Sequence, residues 1–317
     1  MTDNYMSWIL AGVLLLCGCG RPMATVAPES SRGAELVPVE VSGEQALEEV
    51  RRFVALGPRL SGTKGAERAA LYLADRLQEL GVETEIQEFS DASPKGTLVF
   101  RNVLGRIPGT GKRILLLGSH YDTKVGIADD FAGANDSGSS TGLLLELARA
   151  FQATAPHPME IRLAFFDGEE SMKDYGPTDG LHGSRYLAQH MEAEGRLADI
   201  EAMILLDMIG DRNLTVTIPR NSAPPLVNEV FNAARAEGVR RYFQLYPAHI
   251  LDDHVPFLER GVLAINLIDF QFGSEPGRND YWHTPDDTMD KLSAESLDIV
   301  GRVTARVVAQ LMQATPK

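Results

Sequence analysis

The sequence predicts an α/β fold, a three-layer α/β/α sandwich in which helices cover both faces of a mostly parallel central sheet. Three observations carry that reading. Continuous apolar runs of strand length recur at 113–122, 159–170, 201–211 and 262–270. Segments with helical spacing separate them. The first three runs each break abruptly into His, Asp or Glu at their C-terminal ends. A strand apolar on both sides is buried on both faces, and strands alternating with helices give parallel sheets. Ligands in such folds bind beyond the carboxyl ends of the strands.

The elements follow in order. "GEQALEEVRRFVALG" (43–57) has helical spacing and stops at Gly57-Pro58. "TKGAERAALYLADRLQELG" (63–81) is a second amphipathic helix closed by Gly81. "VETEIQEF" (82–89) alternates like a half-exposed strand, and 97–107 reads as another. The buried run 113–122 leads to a helix at 137–151, with Asp136 or Ser137 as its candidate N-cap. The run 159–170 precedes a helix at 183–195. The run 201–211 precedes a helix at 224–238. The run 262–270 precedes a closing helix at 293–313.

Composition narrows the chemistry. A net charge of −14 over 317 residues, with no basic stripe, argues against nucleic-acid binding. Both cysteines, Cys17 and Cys19, lie in the first twenty residues. The body therefore has no disulfide, no thiolate metal site and no cysteine nucleophile, so any metal there is held by His, Asp and Glu.

The N-terminus reads as a targeting segment. "WILAGVLLLCGCG" (8–20) is apolar but too short to span a bilayer. Leu16-Cys17-Gly18-Cys19 resembles a bacterial lipobox, with Cys19 as the lipidated first residue, although the preceding "MTDNYMSW" has no Lys or Arg. The expected organisation is a lipoprotein-type signal peptide at 1–19, a flexible tether at 20–42 and one catalytic domain at 43–317. The expected location is the cell envelope, periplasmic or at the outer surface. The membrane would be met only through the lipid on Cys19. The sequence carries no signal for oligomeric state.

His120, Asp122, Asp167, Glu169, Glu170 and Asp207 all fall at the ends of buried strands. Asp136 follows in the next loop, and His283 lies in "YWHTPDDT" after the last strand. A set of His, Asp and Glu without thiolate suits Zn²⁺ in a catalytic site that keeps a position open. A metal would offset the repulsion among the acids and leave either Glu169 or Glu170 free to carry protons. Singly, each feature has a plainer reading: a capping Asp, a solvated acidic turn, a hydrogen-bonded His. Their coincidence at one sheet edge favours a site.

"SHYDTK", "GANDSGSSTGLLLELAR", "FFDGEES", "GLHGSRYLA", "LLDMIGD", "DDHVPFLERGV" and "WHTPDDT" occur in that order. Over residues 44–314 this resembles the zinc-exopeptidase superfamily, in the branch of the animal-type glutaminyl cyclases and the bacterial zinc aminopeptidases. The resemblance implies that Asp136, Glu170 and His283 hold zinc and that Glu169 is the general acid/base. It gives His120 and Asp207 to a second metal in aminopeptidases. In cyclases, which bind one zinc, Asp207 is instead a hydrogen-bonding partner. Asp252, with Trp282 beside His283, matches the cyclases, and Trp282 and Tyr175 would wall the substrate pocket. Three departures are Tyr175, where animal cyclases have tryptophan, Leu251, where a polar residue is usual, and "GSEPGRND" (273–280), which lengthens the loop before Trp282. The expected substrates are peptides or proteins with a free N-terminus. The favoured reaction is cyclisation of N-terminal glutamine, with zinc-dependent aminopeptidase activity as the alternative and a non-catalytic binding domain a distant third.

Overall fold

Four apolar strands make the centre of the sheet. In the computed structural model, which describes residues 39–314, these are β3 (Ile114–His120), β4 (Glu160–Phe166), β5 (Ile200–Asp207) and β8 (Ala264–Ile268). β3 pairs in parallel with both β4 and β5, and β5 pairs in parallel with β8. Their carboxyl ends therefore share one edge. Both sides of these strands are covered, as their continuous apolar character requires. In β3, Leu115 and Leu117 pack into the larger apolar core, while Ile114 and Leu116 pack into a second core with Leu187 and Met191. Fully burying each such side chain contributes about 1.5–3 kcal/mol.

Antiparallel pairing begins on either side of these four strands. β1 (Glu83–Ser93) and β2 (Gly96–Ile107) form a hairpin, and β2 pairs with β4. On the other side β6 (Val216–Pro219) runs antiparallel to β8 and parallel to β7 (Phe243–Tyr246). The full order is β1-β2-β4-β3-β5-β8-β6-β7. β6 and β7 are four residues each, too short for periodicity to reveal, and the sequence reading did not place them.

The larger core is closed by α1 (Gly43–Val54), α2 (Lys64–Glu79), α3 (Ser140–Ala153), α5 (Pro224–Ala236) and α7 (Ala294–Gln313). The second core is closed by α4 (His182–Ala193) and the short α6 (Val255–Leu258). Ser42, Thr63 and Ser293 cap α1, α2 and α7 by accepting backbone N–H groups. The expected capping at 136–137 is corrected here. α3 starts at Ser140, after a wide turn at Ala134–Ser139 in which Asp136 and Ser137 are non-helical. The Asp136 carboxylate turns to two histidines instead.

The described residues pack as one compact unit. The lipobox-like segment and residues 20–38 of the expected tether lie outside them. Ser42, assigned to the tether by sequence, is bound to the body: its N–H donates to Glu146 Oε1 at 2.7 Å. Among the described residues no helix is long and apolar enough to cross a membrane.

α1 and α3 touch through Gly142. A Cβ there would fall on the Val50 methyl, 2.7 Å from the Val50 amide nitrogen and 2.9 Å from the Ala46 carbonyl oxygen. Gly142→Ala is expected to lower unfolding free energy in urea by about 1–2 kcal/mol, overpacking outweighing alanine's better helix propensity. Unchanged or raised stability would mean that the two helices separate freely.

Candidate active site

β3 ends in His120, which is buried at the edge of the sheet. Its Nε2 lies 3.1 Å from Asp136 Oδ1 and 3.3 Å from Asp207 Oδ1. Asp207 is the last residue of β5, the neighbouring strand. The other oxygen of Asp136 lies 3.3 Å from His283 Nε2, which also meets Glu170 Oε1 at 3.0 Å. Asp136 thus joins two groups of potential ligands, His120–Asp136–Asp207 and Asp136–Glu170–His283.

Neighbouring backbone is held by carboxylates behind the site. Asp122, two residues beyond β3, accepts the N–H groups of Glu169 at 3.1 Å and Glu170 at 3.2 Å, and faces His120 Nδ1 at 3.4 Å. Asp287 accepts the N–H groups of Asn135 at 2.6 Å and Asp136 at 3.1 Å. Asn135 in turn accepts from the Gly210 N–H and donates to the Met208 carbonyl, tying the Asp136 turn to the end of β5. His283 adopts a left-handed φ of 53°, which costs about 1 kcal/mol or more and is held by its surroundings.

A narrow cleft above this cluster is lined by Asp136, Glu169, Glu170, Tyr175, Asp207, Asp252, Trp282 and His283, together with Leu251 and Phe270. His120 lies within the same cluster. The nine residues given site roles by the resemblance are therefore brought together. The Trp282 ring stacks on His283 at 4.1 Å between centroids and leans on Phe270 at 5.0 Å. Asp252 is buried and accepts from Asn266 Nδ2 at 2.6 Å. The Tyr175 hydroxyl donates to Glu169. A larger hollow of about 320 Å³ lies between β1, β2, β4 and α4, but its Arg106 and Arg162 are already paired with Glu160.

Sequence reasoning missed three supporting residues. Asp287 sits inside the quoted "WHTPDDT", which was read only for Trp282 and His283. Asn266 is a lone polar residue in an otherwise apolar β8, a signal that could have been used. Lys124, in "SHYDTK", donates to Ser171 O at 2.8 Å and lies 3.3 Å from Glu170 Oε2.

The electrostatics are those of crowded buried acids. Burial pushes Glu169 well above the usual carboxylate range, with His120 opposing and Asp252 and Glu170 reinforcing. Burial, then Asp207 and Asp253, do the same to Asp252. Burial also disfavours an imidazolium at His120, but Asp122, Asp136 and Asp207 outweigh it and raise its pKa. His283 is likewise opposed by burial yet held up at about 9 by Asp136 and Glu170. Burial works against charge on Asp136 too, and the two histidines reverse that.

The residues fit a cation. Glu170 Oε2, Asp207 Oδ1 and His120 Nδ1 are buried without a well-formed hydrogen bond, which a protein avoids unless another group is to occupy the site. Imidazole and carboxylate donors in threes, with a cleft alongside, match a zinc centre that keeps an open position. The sequence profile of peptidase family M28 matches residues 102–308. The chain belongs to that family. This M28 chain is 31% identical over 276 residues to the glutaminyl-peptide cyclotransferase of Drosophila melanogaster, covering 78% of this chain and 76% of that one. The crystal structure of an Acidobacteriales bacterium glutaminyl cyclase superposes with a TM-score of 0.83 at 34% identity, over 90% of this chain and 99% of that one. A zinc-dependent exopeptidase from Parabacteroides distasonis superposes with a TM-score of 0.75 at 29% identity, over 86% and 99%.

Asp287 offers a test of how the M28 site is held. Asp287→Ala is expected to weaken metal binding by about 10- to 100-fold, as loss of an outer partner of a ligand does. Competition titration against a chelating dye measures it, with thermal melting as the control for folding. Wild-type affinity in the variant would show that the Asp136 turn holds itself.

Proposed function

We propose that this chain is a glutaminyl-peptide cyclotransferase, closing the N-terminal glutamine of a peptide to pyroglutamate with release of ammonia. One observation carries the reading: Glu169 and Asp252 open on the same cleft as Asp136, Glu170 and His283, and the Trp282 ring is stacked on His283. The similarity to cyclases over most of both chains supports it.

Asp136, Glu170 and His283 would hold the zinc. Bound there, zinc supplies Lewis acidity toward the side-chain amide carbonyl of the substrate. Glu169 takes one proton from the α-amine as its nitrogen bonds to the amide carbon. The bond from that carbon to the amide nitrogen breaks, and Glu169 returns the proton to the departing nitrogen, which leaves as ammonia. A raised pKa suits a group that must hold and release a proton near neutrality. Asp252, fixed by Asn266, orients the leaving nitrogen. Trp282 packs the glutamine stem and excludes water.

A second reading, zinc aminopeptidase, rests on the other ligand group. The ligand atoms of His120, Asp136 and Asp207 lie within 4.8 Å of one another, the compactness a second metal needs. In that reading Glu169 is the base for a water nucleophile. One tightly bound zinc favours cyclisation and two favour hydrolysis. The lipobox-like segment adds to the proposal an envelope anchor through lipid on Cys19, which the mass of the mature N-terminus tests.

The deciding experiment offers the zinc-loaded protein a Gln-initiated and a Leu-initiated peptide. Loss of the mass of one ammonia without chain cleavage is expected for the first, with no change in the second. Release of a free amino acid would overturn cyclisation in favour of hydrolysis. Glu169→Gln is expected to reduce turnover by about two to four orders of magnitude, as loss of a general acid/base does. Retained turnover would remove Glu169 from the proton path.

A further inference from the structure

Glu169 is only 6% exposed, and its backbone is fixed at both ends: its N–H donates to Asp122, and its carbonyl accepts from the Leu181 N–H at 3.0 Å. Its carboxylate is not so supported. Among the described residues it has one hydrogen-bonding partner, the hydroxyl of Tyr175, 3.0 Å from Oε1 and 3.3 Å from Oε2. We propose that Tyr175 is a positioning residue for Glu169. Its hydroxyl sits between both carboxylate oxygens and fixes the orientation from which Glu169 exchanges protons with substrate. The inference rests on the proton role of Glu169 and goes beyond a pocket-wall role for Tyr175.

The loop carrying Tyr175 is built to hold that hydroxyl still. The Asp179 carboxylate accepts three successive backbone N–H groups, from Met172 at 2.6 Å, Lys173 at 2.8 Å and Asp174 at 3.1 Å. Gly176 and Asp179 exchange backbone hydrogen bonds at 2.9 and 3.2 Å. Arg185 donates to the carbonyls of both Gly176 and Gly180, clamping the two ends of the turn. Gly180, at a φ of +77°, lets the backbone lie directly against the Tyr175 ring, where a Cβ would overlap it. The Lys124 ammonium stands 5.7 Å from the ring centroid. A pocket wall needs only the ring's area, yet this loop also orients the O–H. Tyr175 keeps its own proton throughout, so proton balance in the reaction stays with Glu169.

Tyr175→Phe separates the two roles because it removes only the hydroxyl of a side chain that is 38% exposed. The expected result is a fall in kcat of roughly 10- to 100-fold with KM nearly unchanged, the signature of a misplaced reacting group. Tyr175→Leu, which also removes the ring, should raise KM as well. In a Glu169→Gln background Tyr175→Phe should do nothing further to the residual rate. Melting temperature and zinc content should match wild type throughout. Wild-type kcat in Tyr175→Phe, or an equal loss in the Glu169→Gln background, would overturn the proposal. If wild type hydrolyses peptides instead of cyclising them, the cyclase reading fails and the same comparison is made on hydrolysis. If it acts on neither peptide, crystal structures decide. The Glu169 carboxylate must lie within hydrogen-bond distance of Tyr175 in wild type and move in Tyr175→Phe, and failure of either overturns the positioning role.

Discussion

The structure depends on keeping a crowd of carboxylates together at the carboxyl edge of one sheet. Asp122, Asp136, Asp167, Glu169, Glu170, Asp207, Asp252 and Asp253 are all nearly excluded from water. Isolated buried carboxylates are too costly to keep ionised, so each needs a cation, a proton or N–H donors. The chain uses all three. Asp122, Asp252 and Asp287 are met by backbone or amide donors. Asp136 is met by two histidines. Asp253 is pushed up to about 7 by burial. Unpartnered buried oxygens remain on Asp253, and on Asp207 and Glu170 beside the proposed metal positions.

The same constraint explains an arginine where the core would otherwise be apolar. Arg59 is fully buried, its guanidinium 4.5 Å from the Phe53 ring centroid. It donates to the carbonyls of Tyr121 and Ala132, both at 2.7 Å. Burial lowers its pKa to about 10, and Asp122, Asp287 and Asp136 hold it from falling further. A cation so placed braces the segment between β3 and the Asp136 turn and adds positive potential near the acids. It stays charged at neutral pH, where those acids are ionised, which a lysine in the same place would not ensure.

Much of this was legible because the signals were redundant. The central strands announced themselves by being apolar without alternation, and parallel pairing then forced their polar ends to one edge. Asp136, Glu170 and His283 come from three separate loops, yet each lay beside a run whose direction was readable. What was illegible is instructive. The turn at Ala134–Ser139 looks like the first turn of α3 because its residues favour helix starts. Tertiary bonds from Asp287 and Asn135 pull it open, and nothing local encodes them. β6 is paired with the edge of β8 and β7 with β6, so both rest on long-range partners. Asp287 and Asn266 are second partners of functional groups, and residues that act through another residue leave no spacing of their own.

The charge inventory shows why one arrangement of residues supports two chemistries. Four carboxylates, those of Asp122, Asp136, Glu170 and Asp207, touch the two ligand histidines. One zinc, the Lys124 ammonium and a protonated His120 bridging Asp136 and Asp207 would match them in charge. Nδ1 and Nε2 of His120 both face carboxylates, the geometry an imidazolium needs. With two zincs, His120 would be a neutral ligand, with the Nδ1 side of its ring facing Asp122. The site would then carry surplus positive charge, which a further anion or an ionised Glu169 in the same cleft would balance. Cyclisation needs no such anion, because the nucleophile is the substrate's own amine. In the proposed cyclase reading His120 keeps its proton between Asp136 and Asp207, and in the aminopeptidase reading a second zinc would take that proton's place.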